Sequence, residues 1–116
     1  MPDRSLPSKL RVAARVSPGC VFVSLGARAA LDAIRAPLIH LLIRHMFGDW
    51  GRLTDEDWQR NERALMNDDY LLSSYVLSNG QKIWMHTIHK RSATFVLLPS
   101  EAFRFESPLR NALLGR

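Results

Sequence analysis

Two apolar runs, YLLSSYVLS at residues 70–78 and QKIWMHTIH at 81–89, flank the dipeptide Asn79-Gly80. Asn-Gly suits the tight two-residue type I′ turn, whose twist matches that of paired strands, so this stretch predicts a β-hairpin. With Asn79 and Gly80 at the corner, Ser78 faces Gln81, Val76 faces Ile83, Tyr75 faces Trp84 and Ser73 faces His86. Side chains alternate along a strand. Leu72, Val76, Ile83 and Met85 then share the face expected to meet helices, while Tyr75, Leu77, Trp84 and His86 share an aromatic, half-polar face.

Other strand and helix signals surround this hairpin. ATFVLLP at 93–99 reads as a third strand that Pro99 stops, and CVFVSL at 20–25, bounded by Pro18, Gly19 and Gly26, reads as a short strand. Ser24 is placed to cap a helix in which Ala30, Leu31 and Ile34 recur at helical spacing, and Pro37 kinks that helix or opens a second. The run at 37–46, PLIHLLIRHM, is apolar nearly all round, as in a helix buried in a core or an oligomer interface. In FGDWGRLTDEDW, residues 47–58, Gly48 and Gly51 bracket Asp49 and Trp50 as a helix stop and turn. Thr54 then precedes Asp57 by three positions, a variant of the capping box, with Asp55, Glu56 and Asp57 at the positive end of the helix dipole and Glu56 spaced to pair with Arg60. The acidic cluster thereby has a structural role.

The expected fold is α+β: a three-stranded antiparallel meander, extensible by an N-terminal strand, with two to three helices on one face. The 116 residues, 47% hydrophobic, suffice for one domain with its own core. The expected organisation is a basic arm at 1–19, partly strand from Leu10 to Val16, a domain at 20–101 and a tail at 102–116 with a weak helical pattern in Leu109, Leu113 and Leu114. The arm is arginine-bearing but lacks the apolar run of a secretion signal. The net charge of +5 leans toward acidic partners. Arg4, Lys9, Arg11 and Arg15 make the arm basic, whereas acids dominate 54–69, giving a charge dipole. Cys20 is the lone cysteine, which suits a reducing cytoplasm and excludes an internal disulfide. The apolar run at 29–43 is broken by Asp32, Arg35, Pro37 and His40, so no bilayer-spanning segment is expected.

Reactive constellations are sparse. His40 and His45 turn to different helix faces, and His86 and His89 to opposite faces of a strand, so no pair has the spacing that zinc needs. The glycines around Asp49 lack the spacing and lysine of a phosphate loop. Ser73 opposite His86 is the one expected juxtaposition of a nucleophile and a base, the basis of a hydrolase reading. Lys82, Lys90 and Arg91 beside Tyr75 and Trp84 support a nucleic-acid-binding reading.

Taken together, RHMFGDWG at 44–51, NERAL at 61–65, LLSSY at 71–75, and KIWMHT followed by RSATFVLLPSE resemble a family of small bacterial proteins described as plasmid-related and carried on mobile elements. The resemblance covers roughly residues 21–101. Gly48, Asp49, Trp50, Gly51, Trp84, Thr87, Arg91, Ser92, Thr94 and Pro99 fall on its pattern. Where that pattern has Glu and Asp between the threonine and the arginine, this chain has Ile88, His89 and Lys90, a more basic turn without carboxylates that could serve a reaction. The resemblance, taken with the small size and polarised charge, gives the expectation of a binding module of a mobile element, and the absence of a reactive constellation and the lone Cys20 make it expected to be non-catalytic, cofactor-free and cytoplasmic. The expected partner is a host protein or ribonucleoprotein complex of nucleic-acid-directed defence, restriction or CRISPR machinery. The expected contact residues are Asp49, Trp50, Lys82, Trp84, Lys90 and Arg91. Homodimerisation through 37–46 or a sheet edge is a further expectation.

Overall fold

The computed structural model describes residues 14–104. The strands are β1 (Cys20–Val23), β2 (Leu71–Val76), β3 (Lys82–Thr87) and β4 (Ala93–Leu97), and the helices are α1 (Leu25–Ala33), α2 (Leu38–Met46) and α3 (Asp55–Asn67), with short 3-10 turns at His89–Arg91 and Pro99–Arg104. The α+β class is as expected, but the sheet has four strands in the order β1-β4-β3-β2 and is mixed. β2, β3 and β4 pair antiparallel, whereas β1 lies parallel to β4. The expectation of a three-stranded antiparallel sheet is corrected accordingly. Parallel pairing requires a crossover connection; here the three helices and the β2–β3 hairpin all intervene between the partners.

The hairpin forms, with its register displaced by one residue. Val76 pairs with Lys82, Tyr75 with Ile83, Ser74 with Trp84, Ser73 with Met85 and Leu72 with His86. Leu77 N donates to Gln81 O and Gly80 N donates to Leu77 O, so the loop is three residues long, Ser78 to Gly80. Gly80 takes the left-handed conformation at φ 85° while Asn79 does not, and the Asn79 side chain accepts from Gln81 N at 3.1 Å. This is a type I turn closed by a left-handed glycine, in place of the expected type I′ turn. Because a one-residue slip reverses every side chain, Tyr75 and Leu77 join Ile83 and Met85 on the inner face, and Val76 turns outward to become 41% exposed.

On that inner face Tyr75, Leu77, Ile83, Met85 and Val96 pack against Ala27, Ala30 and Leu31 of α1, with Leu38, Leu41 and Leu42 of α2 around them. Ser24 caps α1 by accepting from Ala27 N at 3.0 Å, and it donates to Glu101 Oε1 at 2.5 Å. Pro37 opens α2, whose outer side leaves Ile39 47% exposed. The third helix starts at the expected cap, Thr54 Oγ1 accepting from Asp57 N at 3.1 Å, and Arg60 pairs with Asp57 at 3.6 Å, not with Glu56.

α3 does not cover a sheet face; it runs beside the edge strand β2. The Asn61 amide donates to Leu72 O at 2.7 Å and accepts from Leu72 N at 3.1 Å, imitating a neighbouring strand. Farther along the same edge, Ser74 N donates to Trp50 O and Arg52 N to Ser74 O, at 3.0 and 2.7 Å. The edge is thereby closed to further pairing. A second apolar cluster, Val16, Trp50, Ala64 and Leu71, fills the angle between α3 and β2.

The domain reaches past the expected boundaries at both ends. Val16 is buried, Arg15 pairs with Glu62 at 2.8 Å, and Ala102 is fully buried against Leu72 and Leu97. Residues 14–19 form no strand. The remainder of the arm, with the strand expected from Leu10, and the tail helix at Leu109 to Leu114 lie outside the described residues. Among the described residues no helix is long and apolar enough to cross a membrane.

Candidate functional site

Ser73 and His86 do not meet. Ser73 points to the inner face opposite Met85 and His86 to the outer face beside Leu72, so the sheet lies between them and the hydrolase pair is withdrawn. His86 instead stacks on Tyr70, ring centroids 5.6 Å apart.

Ser73 meets a different histidine. Its Oγ lies 2.5 Å from His45 Nδ1, His45 Nε2 lies 2.7 Å from Thr87 Oγ1, and Thr87 Oγ1 lies 2.8 Å from Thr94 Oγ1, which donates to Pro18 O at 2.7 Å. A carbonyl only accepts, and that fixes the direction of the whole chain. Thr94 donates to Pro18, Thr87 to Thr94, His45 Nε2–H to Thr87, and Ser73 to His45 Nδ1. Burial pushes His45 down to about 4, so the ring is neutral at physiological pH. Ser73, His45, Thr87 and Thr94 are each 0% exposed. A nucleophile sealed in this way reaches no substrate, and the network's work is to satisfy polar groups inside the core.

The GDWG turn is also mostly structural. Gly48 and Gly51 hold left-handed backbone at φ 84° and 72°, and a Cβ on Gly51 would lie 2.1 Å from Ser74 O. The turn therefore docks Trp50 beneath α3, where it is 0% exposed, edge-on to Trp58, its indole N–H without a partner among the described residues. Trp50 is withdrawn as a contact residue. Asp49 pairs with Arg44 at 2.8 Å, and this bond holds its carboxyl below the usual range. Arg44 in turn lies over the Tyr75 ring, whose hydroxyl donates to Asp49 O at 2.7 Å. Burial raises the Tyr75 hydroxyl.

At the second turn, Arg91 pairs with Asp68 and donates to Ala64 O at 3.2 Å, joining the backbone N–H groups of Asp68 and Asp69 that already bond this carbonyl at the negative end of α3. Its burial lowers its pKa, and it too is better described as a cap than as a contact. Lys90 is exposed at φ 65°, its backbone N–H donating to Asp68 O.

Lys82 and Trp84 border a groove between α3 and the outer face of β2 and β3. One basin, of about 270 Å³, is lined by Arg52, Thr54, Asp57, Ser74, Lys82 and Trp84, among others. A second, of about 230 Å³, is lined by Arg60, Arg63, Ala64, Asn67, Asp69 and Tyr70. Positions 57, 60, 64 and 67 follow helical spacing down one side of α3, and positions 74, 72 and 70 follow strand alternation in the opposite chain direction, so the two basins lie one after the other beside α3, on either side of the Asn61–Leu72 contact.

Comparison with protein-family models, curated proteins and solved structures finds no match to this chain.

Of the six expected contact residues, the structure brings Lys82 and Trp84 together, leaves Asp49 and Lys90 exposed elsewhere, and places Trp50 and Arg91 in structural roles. Arg52, Arg60, Arg63 and Tyr70 were not anticipated. The helical spacing of residues 57–67 was the available signal, since it puts Arg60 and Asn67 on one side of α3. Among the described residues no cluster of three or more His, Cys, Asp or Glu is arranged to hold a metal.

Proposed function

We propose that this protein is a non-catalytic binding module of a mobile genetic element that caps a host protein or ribonucleoprotein complex engaged in nucleic-acid-directed defence, such as restriction or CRISPR machinery. One observation carries the binding reading. The nucleophile and base with suitable geometry, Ser73 and His45, are sealed in the core, whereas exposed cations border the half-buried rings of Trp84 and Tyr70 on the outer face. The mobile-element assignment rests on the sequence resemblance at residues 21–101 and on the polarised charge. The reading is tested by capture from a bacterial lysate, with protection of incoming plasmid or phage DNA as the functional readout. Recovery of a defence component, lost on substitution of Lys82 and Arg52, is expected. Recovery of none, together with no protection, removes the reading.

A further inference from the structure

We infer that the groove between α3 and the outer sheet face binds single-stranded nucleic acid, with bases stacked on Trp84 and Tyr70 and phosphates held by Arg52, Lys82, Arg60 and Arg63. The inference rests on the binding-module reading and names the class of ligand.

Each basin combines two cations with one aromatic ring. Arg52 and Lys82 border Trp84 in the first, and Arg60 and Arg63 border Tyr70 in the second. A polynucleotide repeats the same pair of chemistries, a phosphate and a planar base, at every unit. An acidic peptide would use the cations and leave the rings idle. Among the described residues Arg52, Arg63 and Lys82 have no ion-pair partner, and Arg60 has only the long contact of 3.6 Å with Asp57. Tyr70 stacks nearly parallel on His86, at an interplanar angle of 10°, and Trp84 packs against Leu72, Leu97 and Ala102, so both rings are held in orientation at the wall of the basins.

Size points the same way. Each basin, 230 and 270 Å³, falls below the roughly 300–1,000 Å³ of a site for a drug-sized molecule, so each suits one planar group in a row of groups. Stacking is tolerant of base identity, because every base presents a flat face. Asp57 and Asp69 also border the groove and offset part of its charge, so at most four phosphates are neutralised. Four contacts on a single strand set the slope of log K against log salt at no steeper than about −2.8, a loss of affinity of at most about 50-fold between about 50 and 200 mM salt.

The test uses the full chain and a labelled oligothymidine of about ten nucleotides, followed by anisotropy across salt and by tryptophan emission. Binding with a slope of about −2 to −2.8 and quenching of Trp84 is expected. Replacing Arg52 and Lys82 together by Ala should flatten the slope by about 1.4. Trp84→Leu should weaken binding about tenfold or more, and Trp84→Phe should restore affinity while abolishing the quench. Should Trp84→Leu fail to fold, the Phe variant and the exposed double variant still decide. Absence of binding at low salt, tighter binding of duplex DNA, or equal displacement by polyglutamate would each overturn the inference. Capture of a defence protein without oligonucleotide binding would overturn it too, while leaving the binding-module reading in place.

Discussion

His45 Nδ1 sits 2.5 Å from Ser73 Oγ at the centre of the inner face, joining α2 to β2 by a hydrogen bond with no exposure to water. The carbonyl of Pro18, three hydrogen bonds from the ring, dictates which nitrogen carries the proton. Nitrogen-detected NMR is expected to find His45 as the Nε2–H tautomer, still neutral at about pH 5; a charged ring at that pH would contradict the assigned chain.

The same burial makes stability depend on pH. His45 titrates at 6.5 in the unfolded chain and at about 4 in the fold. Between those values the unfolded chain holds a proton that the fold refuses. The contribution is therefore complete above pH 6.5 and is lost as pH falls toward 4. Its size is about 3 kcal/mol by linkage. Urea titrations of the protein and of His45→Gln at intervals from about pH 7 to 4 should converge as the pH drops.

Asn61→Ala should cost about 2 kcal/mol, because Leu72 N and O are left without the amide that satisfies both. Asn61→Asp should be worse, since a buried carboxylate offers no donor to Leu72 O. Chemical denaturation of the two variants checks the order.

Two glycines should behave differently on substitution by Ala. At Gly80 nothing lies near a Cβ, so Gly80→Ala pays only for left-handed backbone, about 1 kcal/mol. At Gly51 the Cβ would strike Ser74 O at 2.1 Å, and the added displacement of the 50–52 segment from β2 should lower the melting temperature far more.

Arg91→Ala should destabilise the fold by about 1 kcal/mol through loss of the part-buried Asp68 pair and the added contact to Ala64 O, while Lys90→Ala, at an exposed side chain, should change stability by less than about 0.5 kcal/mol. Thermal melts of the pair distinguish a cap from a contact residue.

Much of the local structure was legible in the sequence. Ser24, Pro37, Thr54 and the Gly48–Gly51 turn act through neighbours within a few positions, and each is found where its chemistry put it. The hairpin register was not legible, because Asn-Gly serves both the two-residue and the three-residue loop, and β2 is apolar on both faces: Leu71 and Tyr75 are buried inward, and Leu72 is buried outward. Alternation therefore could not arbitrate. Neither the parallel pairing of β1 nor the burial of Trp50 has a local signature, since both depend on segments far along the chain. The groove was half legible: Lys82 and Trp84 stood out, but their companions come from α3 and from the segment before it.

The pairing of Cys20 with Ala93 at the start of β1 and β4 joins segments far apart in the chain, which predicts an order of assembly. The β2–β3 ribbon needs only its own short loop and is free to zip early, whereas β1 must wait until nearly everything between it and its partner has been gathered in. Closing so long a loop is slow. Until it closes, one flank of β4 stays bare, and nascent chains at high concentration are most vulnerable to joining one another through that flank.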